Sequence, residues 1–170
     1  MSAPDGALEA RLRRLEDIED IRRLLRQIAR GTDRFDGALL AASIDADAVL
    51  DMGGAAPMSG AAFVAALKPP EAPRPGRMHI LANEQIDVAG DAASSETYIL
   101  SCQDVLVDGV RKTRLRAGRY LDRFARHDGA WKLSARTLVD EWSRIDEVIE
   151  AVAPGRHEGR PAPHDLSCAG

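Results

Sequence analysis

Three side chains in this sequence, of types that acid–base chemistry uses, are candidates for a site. Asp33 lies in Gly31-Thr-Asp-Arg-Phe-Asp36, His79 in Arg77-Met-His-Ile-Leu81, and Arg136 between Ala135 and Thr137, shortly after Trp131. A carboxylate beside an imidazole fixes the ring tautomer and stabilises the protonated ring, so the other ring nitrogen can take up and return a proton. An inward-pointing guanidinium must be paired or must meet an anion, because an unpaired buried charge is costly. Each residue also has a plainer reading. A lone histidine between apolar neighbours is commonly packed core, an aspartate near a helix C-terminus opposes the helix dipole and is commonly solvated, and Arg136 could be a charge on the sheet surface.

Other chemistries lack their residues. There is no glycine-rich phosphate loop, no Gly-x-Ser-x-Gly elbow and no pair of histidines at helical spacing. The two cysteines, Cys102 and Cys168, have neither metal nor redox spacing. Neither a metal nor a cofactor is therefore expected. With 23 basic and 27 acidic residues and a net charge of −4, nothing attracts nucleic acid. Arg11, Arg13 and Arg14 sit among Glu9, Glu16, Asp17, Glu19 and Asp20, which reads as a solvated helix face. A charged N-terminus and the lack of any apolar run of roughly 20 residues argue against a signal peptide or membrane span. The expectation is a soluble, cytoplasmic protein.

The elements that must position these residues follow from periodicity. Leu8, Leu12, Leu15, Ile18, Ile21, Leu25 and Ile28 recur at three and four, which predicts a helix from Ala7 to about Arg30 with one buried stripe, stopped by Gly31. Asp36 can cap a second helix, Gly37 to Ile44, before a short strand, Val49 to Met52. Ser59 can cap a third helix ending near Leu67. Lys68 to Arg77 contains Pro69, Pro70, Pro73 and Pro75, so a loop or lid is expected there. Strands are predicted over Met78–Val88, Ala92–Val107, Leu115–His127 and Trp131–Trp142, the last two joined by an Asp128-Gly129 hairpin turn. Helices followed by an antiparallel meander make an α+β protein. Residues 1–153 are read as one domain and 154–170, rich in Pro, Gly, His and Arg, as a flexible tail.

Several short pieces, in this order, resemble the SnoaL-like branch of the NTF2-like superfamily. They are Arg30–Asp36, Asp47-Ala-Val49, His79–Asn83, Val88–Ala92, Gly118–Phe124 and Asp128–Lys132. The resemblance implies an α+β cone, with helices packed on a curved antiparallel sheet that encloses a pocket. Within the superfamily the pattern is most similar to scytalone dehydratase, bile acid dehydratase and hexachlorocyclohexane dehydrochlorinase, which use an Asp–His pair for cofactor-free elimination. Asp33 matches the family's aspartate, His79 its base and Arg136 its arginine. The sequence departs from the family at Ile28, where the dehydratases have a tyrosine and the dehydrochlorinase a lysine. It departs again near Cys102, where bile acid dehydratase has a second acid.

The resemblance thus implies a lyase, a dehydratase or another eliminase, acting on a small, largely apolar, cyclic or aromatic molecule. His79 would remove the proton, Asp33 would orient it and Arg136 would hold the leaving group or developing anion. Ile28, Phe63, Met78, Cys102, Tyr120, Leu138 and Trp142 are the expected pocket walls. An isomerase would use the same parts, and a non-catalytic binding protein could keep the same cone. A homo-oligomer is expected, a trimer in preference to a dimer.

Overall fold

A computed structural model of the chain describes residues 5–54, 56–69, 76–147, 155–156 and 159–168. Its elements are helix α1 (Asp5–Arg34), helix α2 (Gly37–Ser43), strands β1 (Ile44–Asp51) and β2 (Met58–Ser59), helix α3 (Gly60–Ala66), and strands β3 (Arg77–Ala89), β4 (Ala92–Val107), β5 (Val110–His127) and β6 (Ala130–Glu147). A short 3-10 turn, Leu166–Cys168, follows. The six strands form one sheet in the order β2-β1-β6-β5-β4-β3. β1 runs parallel to β6, and every other neighbouring pair is antiparallel. Three helices on a curved, unclosed sheet give the α+β architecture expected from helices followed by a meander.

The long helix is where sequence and structure differ most. α1 passes straight through Gly31, and the chain turns only at Phe35, whose φ of 52° is left-handed. Asp36 then donates its backbone N–H to the Gly31 carbonyl at 2.9 Å, and its side chain caps α2 through Leu39 N–H at 3.0 Å. Gly31 is there for space rather than as a stop. A Cβ at that position would lie 2.8 Å from Cγ of Leu40, which is fully buried. Gly31→Ala should therefore lower stability by about 1–2 kcal/mol through overpacking, despite the gain in helix propensity. Its urea unfolding midpoint is the check, and a midpoint at or above wild type would refute the close-packing role.

The apolar stripe of α1 is buried only where the sheet lies beneath it. Ile21, Leu24, Leu25 and Ile28 are at most 5% exposed, whereas Leu8, Leu12 and Leu15 are 54–67% exposed. The core joins these four to Leu40 of α2, Ile44, Ala48 and Leu50 of β1, Phe124 of β5 and Trp131 and Leu133 of β6. Curvature comes from irregularities in the meander. The β5–β6 register shifts at Ala117/Gly118, and a Cβ on Gly118 would lie 2.4 Å from the Val139 carbonyl oxygen, so only glycine permits that close crossing.

A polar tie fixes the helix on the sheet. Asp17 accepts from the Trp131 indole N–H at 3.1 Å and pairs with Arg126 at 2.7 Å, while Arg126 also lies 4.4 Å from the Trp131 ring centre. Burial disfavours the Asp17 charge, but the bonds from Arg126 and Trp131 outweigh it and hold this carboxyl below the ordinary value. A depressed folded-state pKa adds stability that is fully present above the unfolded value, about 3.9, and is lost as pH falls through that value toward the folded one. The wild-type urea midpoint should therefore drop steeply below about pH 4, and Asp17→Asn should flatten that drop. Parallel pH profiles for the two proteins would remove Asp17 as a contributor.

The proline-rich segment expected over Lys68–Arg77 lies, at residues 70–75, outside the described residues. Of the expected tail, residues 159–168 pack back on the end of α1. Ala162 N–H donates to the Arg34 carbonyl at 2.6 Å, Arg34 Nε pairs with Asp165 at 3.0 Å, and Arg30 reaches Ser167 Oγ at 3.1 Å. Within this stretch Asp165 is 6% exposed.

Candidate active site

Asp33 occupies the last turn of α1, and His79 lies near the start of β3, the edge strand over which α1 crosses. Extension of the helix past Gly31 is what carries the carboxylate onto the sheet. One Asp33 oxygen accepts the His79 backbone N–H at 2.9 Å, and the other lies 2.6 Å from His79 Nδ1. Both side chains are about nine-tenths buried. Asp33 is thus held by two hydrogen bonds that offset its unfavourable place at the negative end of the helix. An ionised carboxylate only accepts, so the Nδ1 position carries the hydrogen, and Nε2 is the nitrogen left free for proton transfer.

The pleat decides what surrounds the ring. His79 is opposite Ser101, and Ser101 is opposite Arg116, on the inner face. A cavity of about 10 Å³, room for about one water, is lined by Leu25, Ala29 and Thr32 of α1, His79 and Leu81 of β3, Tyr120 of β5 and Arg136 of β6. Asp33 also borders two wider spaces. One, of about 300 Å³, runs between Arg26, Arg30, Arg34, His79 and Glu84. The other, of about 380 Å³, opens at the end of α1.

The far wall of the inner cavity is a buried ion pair. Arg136 donates from Nε and Nη2 to the two oxygens of Asp122 at 2.8 and 2.7 Å, a bidentate fork. Asp122 is 2% exposed and Arg136 8%. The guanidinium also stacks 3.8 Å from the centre of the Tyr120 ring. Burial opposes the Arg136 charge, but the adjacent Asp122 outweighs it and keeps the guanidinium's pKa above its ordinary value. Arg136 was expected to hold a leaving group or developing anion; two of its three guanidinium nitrogens are committed to Asp122, because a buried arginine needs a counter-charge. Tyr120 is 6% exposed, and burial pushes its phenol up against the opposing pull of Arg136, so it remains a neutral hydrogen-bond donor.

The predicted walls are brought together only in part. Tyr120 lines the cavity, and Leu138 packs behind it with Ile99. Ile28 turns into the main core, and Phe63 of α3 packs against that core instead of reaching the histidine. Met78, Cys102 and Trp142 belong to the outer face, since in a strand the neighbours of an inward residue point outward. Met78 and Trp142 are 50% and 51% exposed. Thr32, Leu81 and Asp122 were missed. The same alternation locates the last two, because Leu81 follows His79 by two positions and Asp122 falls between Tyr120 and Phe124. Among the described residues no three His, Cys, Asp or Glu side chains gather to hold a metal.

A family model for the SnoaL-like domain matches residues 13–137, which include Asp33, His79, Tyr120, Asp122 and Arg136. The chain belongs to the SnoaL-like domain family. Solved structures similar to this SnoaL-like protein include a type 2 hexachlorocyclohexane dehydrochlorinase (LinA), at 24% identity and TM-score 0.71, covering 85% of this chain and 99% of the other. A proposed scytalone dehydratase from Novosphingobium aromaticivorans matches at 22% identity and TM-score 0.69, covering 85% and 97%. A protein of unknown function from Mycobacterium tuberculosis matches at 20% identity and TM-score 0.63, covering 76% and 74%. At these identities the likeness is one of fold. No curated protein matches the sequence. No described helix of this SnoaL-like protein is long and apolar enough to cross a membrane.

Proposed function

We propose that this SnoaL-like protein is a cofactor-independent lyase that eliminates water or halide from a small cyclic or aromatic molecule. The observation that carries the reading is the double grip of Asp33 on His79, which leaves Nε2 as the proton acceptor beside the inner cavity. Nε2 takes a proton from the carbon next to the leaving group, and the C–H electron pair becomes the new C=C bond. The C–X pair departs with the leaving group. A halide leaves as the anion, whereas a hydroxyl receives the imidazolium proton and leaves as water. Tyr120 and the uncommitted Nη1 of Arg136 donate hydrogen bonds to the charge that develops. On this reading Tyr120, from the opposite wall, stands in for the hydroxyl that Ile28 cannot supply.

The experiment is a screen of cyclic β-hydroxy ketones and halogenated rings in D2O, with product formation and C–H exchange followed by NMR. The wild type should turn over at least one class, and Tyr120→Phe should slow it about tenfold or more. No turnover and no exchange across the screen would sink the proposal. An isomerase would show exchange and a shifted double bond without loss of a leaving group. A non-catalytic binding role has one observation in its favour, the small space of about 10 Å³ at the ring, and would show binding without exchange.

Cytoplasmic localisation and self-association, with a trimer favoured over a dimer, belong to the same proposal. The association rests on the exposed outer row of Met78, Ile80, Tyr98 and Trp142, each 44–51% exposed. A monomer by sedimentation at micromolar concentration would remove it.

A further inference from the structure

The space of about 380 Å³ beside Asp33 has a charge balance that an uncharged apolar substrate does not call for. Its wall carries the arginines Arg34, Arg77, Arg114 and Arg160 and the carboxylate of Asp104, with Asp33 at its floor. The acids are already engaged. Asp33 holds His79, while Asp104 takes Arg111 and the Thr113 hydroxyl. Asp165, packed behind the wall, takes Arg34. The half-buried Arg114 and the exposed Arg160 have guanidinium groups with no partner among the described residues. Arg77 stands over the Phe35 ring at 5.7 Å on the same wall. Guanidinium forks in a partly dehydrated recess suit the planar or tetrahedral oxygens of an organic anion.

We propose that this recess binds the anionic group of the substrate, a carboxylate or a phosphate ester, with Arg114 as the principal contact and Arg160 at the rim. The apolar body of such a molecule would extend past Asp33 toward His79. This deepens the elimination reading and depends on it only for which end of the ligand faces the imidazole.

Isothermal titration of the full chain with benzoate, phenyl phosphate and benzamide tests the proposal, the last being a neutral molecule of the same shape as benzoate. At least one anion should bind about tenfold or more tightly than benzamide, and added salt should weaken that binding. Arg114→Gln should cut anion affinity about tenfold and leave benzamide unchanged, and the exposed Arg160→Gln should cause a smaller loss of the same kind. Whichever anion binds more tightly identifies the head group. Equal binding of anions and benzamide, failure of both anions to bind, or unchanged anion affinity in both arginine variants would overturn the site. His79→Gln separates this inference from the function. Anion binding should persist in that variant; anion binding by a wild type that eliminates nothing supports the recess and rejects the lyase, whereas wild-type elimination of uncharged rings without anion binding does the reverse.

Discussion

His79→Gln should lower turnover, and the accompanying C–H exchange, by about 10³-fold while leaving the circular dichroism spectrum and unfolding midpoint close to wild type. Glutamine keeps a polar side chain near Asp33 but offers no basic nitrogen. Asp33→Asn should cost a comparable factor for a different reason. The aspartate accepts both the backbone N–H and the Nδ1 hydrogen of His79, at 2.9 and 2.6 Å. An asparagine can accept only one of them and must turn its own N–H₂ toward the other donor. Because the two residues act as one unit, the double variant should be no slower than the worse single variant. Rates within twofold of wild type in either single variant, with the fold intact, would dismiss the dyad.

The largest effect on stability should come from Arg136→Met. It leaves the Asp122 carboxylate, 2% exposed, without its counter-charge and without two hydrogen bonds. The expected loss is about 3–5 kcal/mol, read from urea unfolding at neutral pH. Combining it with Asp122→Leu should recover most of that loss, since a buried ion pair replaced by apolar groups of similar size is often close to neutral. Were the double variant as unstable as the single, the pair would contribute net stability of its own. Activity should not return in the double variant, because the Nη1 donor assigned to developing charge is gone. That split between stability and turnover separates a structural role for Arg136 from a catalytic one.

Much of this architecture is legible in local pattern. The 3.6-residue spacing of apolar side chains, the Asp36 and Ser59 caps and the Asp128-Gly129 turn each act over a few residues, so they locate α1, α2, α3 and the last hairpin. Element ends were less legible. β1 begins at Ile44 rather than Val49, and β6 runs on to Glu147, because pairing with neighbouring strands extends a strand beyond its own β-forming residues. Gly31 misled for a related reason. Its lack of a side chain answers to Leu40 on another helix, not to a break in its own.

The site divides along the same line. The residue types at Asp33, His79 and Arg136 were open to reading, and the sequence by itself determined that acid–base chemistry was the option available. Face assignment needed only the pleat: with His79 inward, Met78 and Ile80 had to point outward. What only the tertiary structure decided were the partners: Asp33 with His79, Arg136 with Asp122, Tyr120 lining the same cavity as the histidine, and the arginines that α1, β3, β5 and residues 159–161 bring around one recess. Local propensity acts over a few residues along the chain, whereas hydrogen bonds and charges act over a few ångströms in space. The fold alone converts one kind of distance into the other.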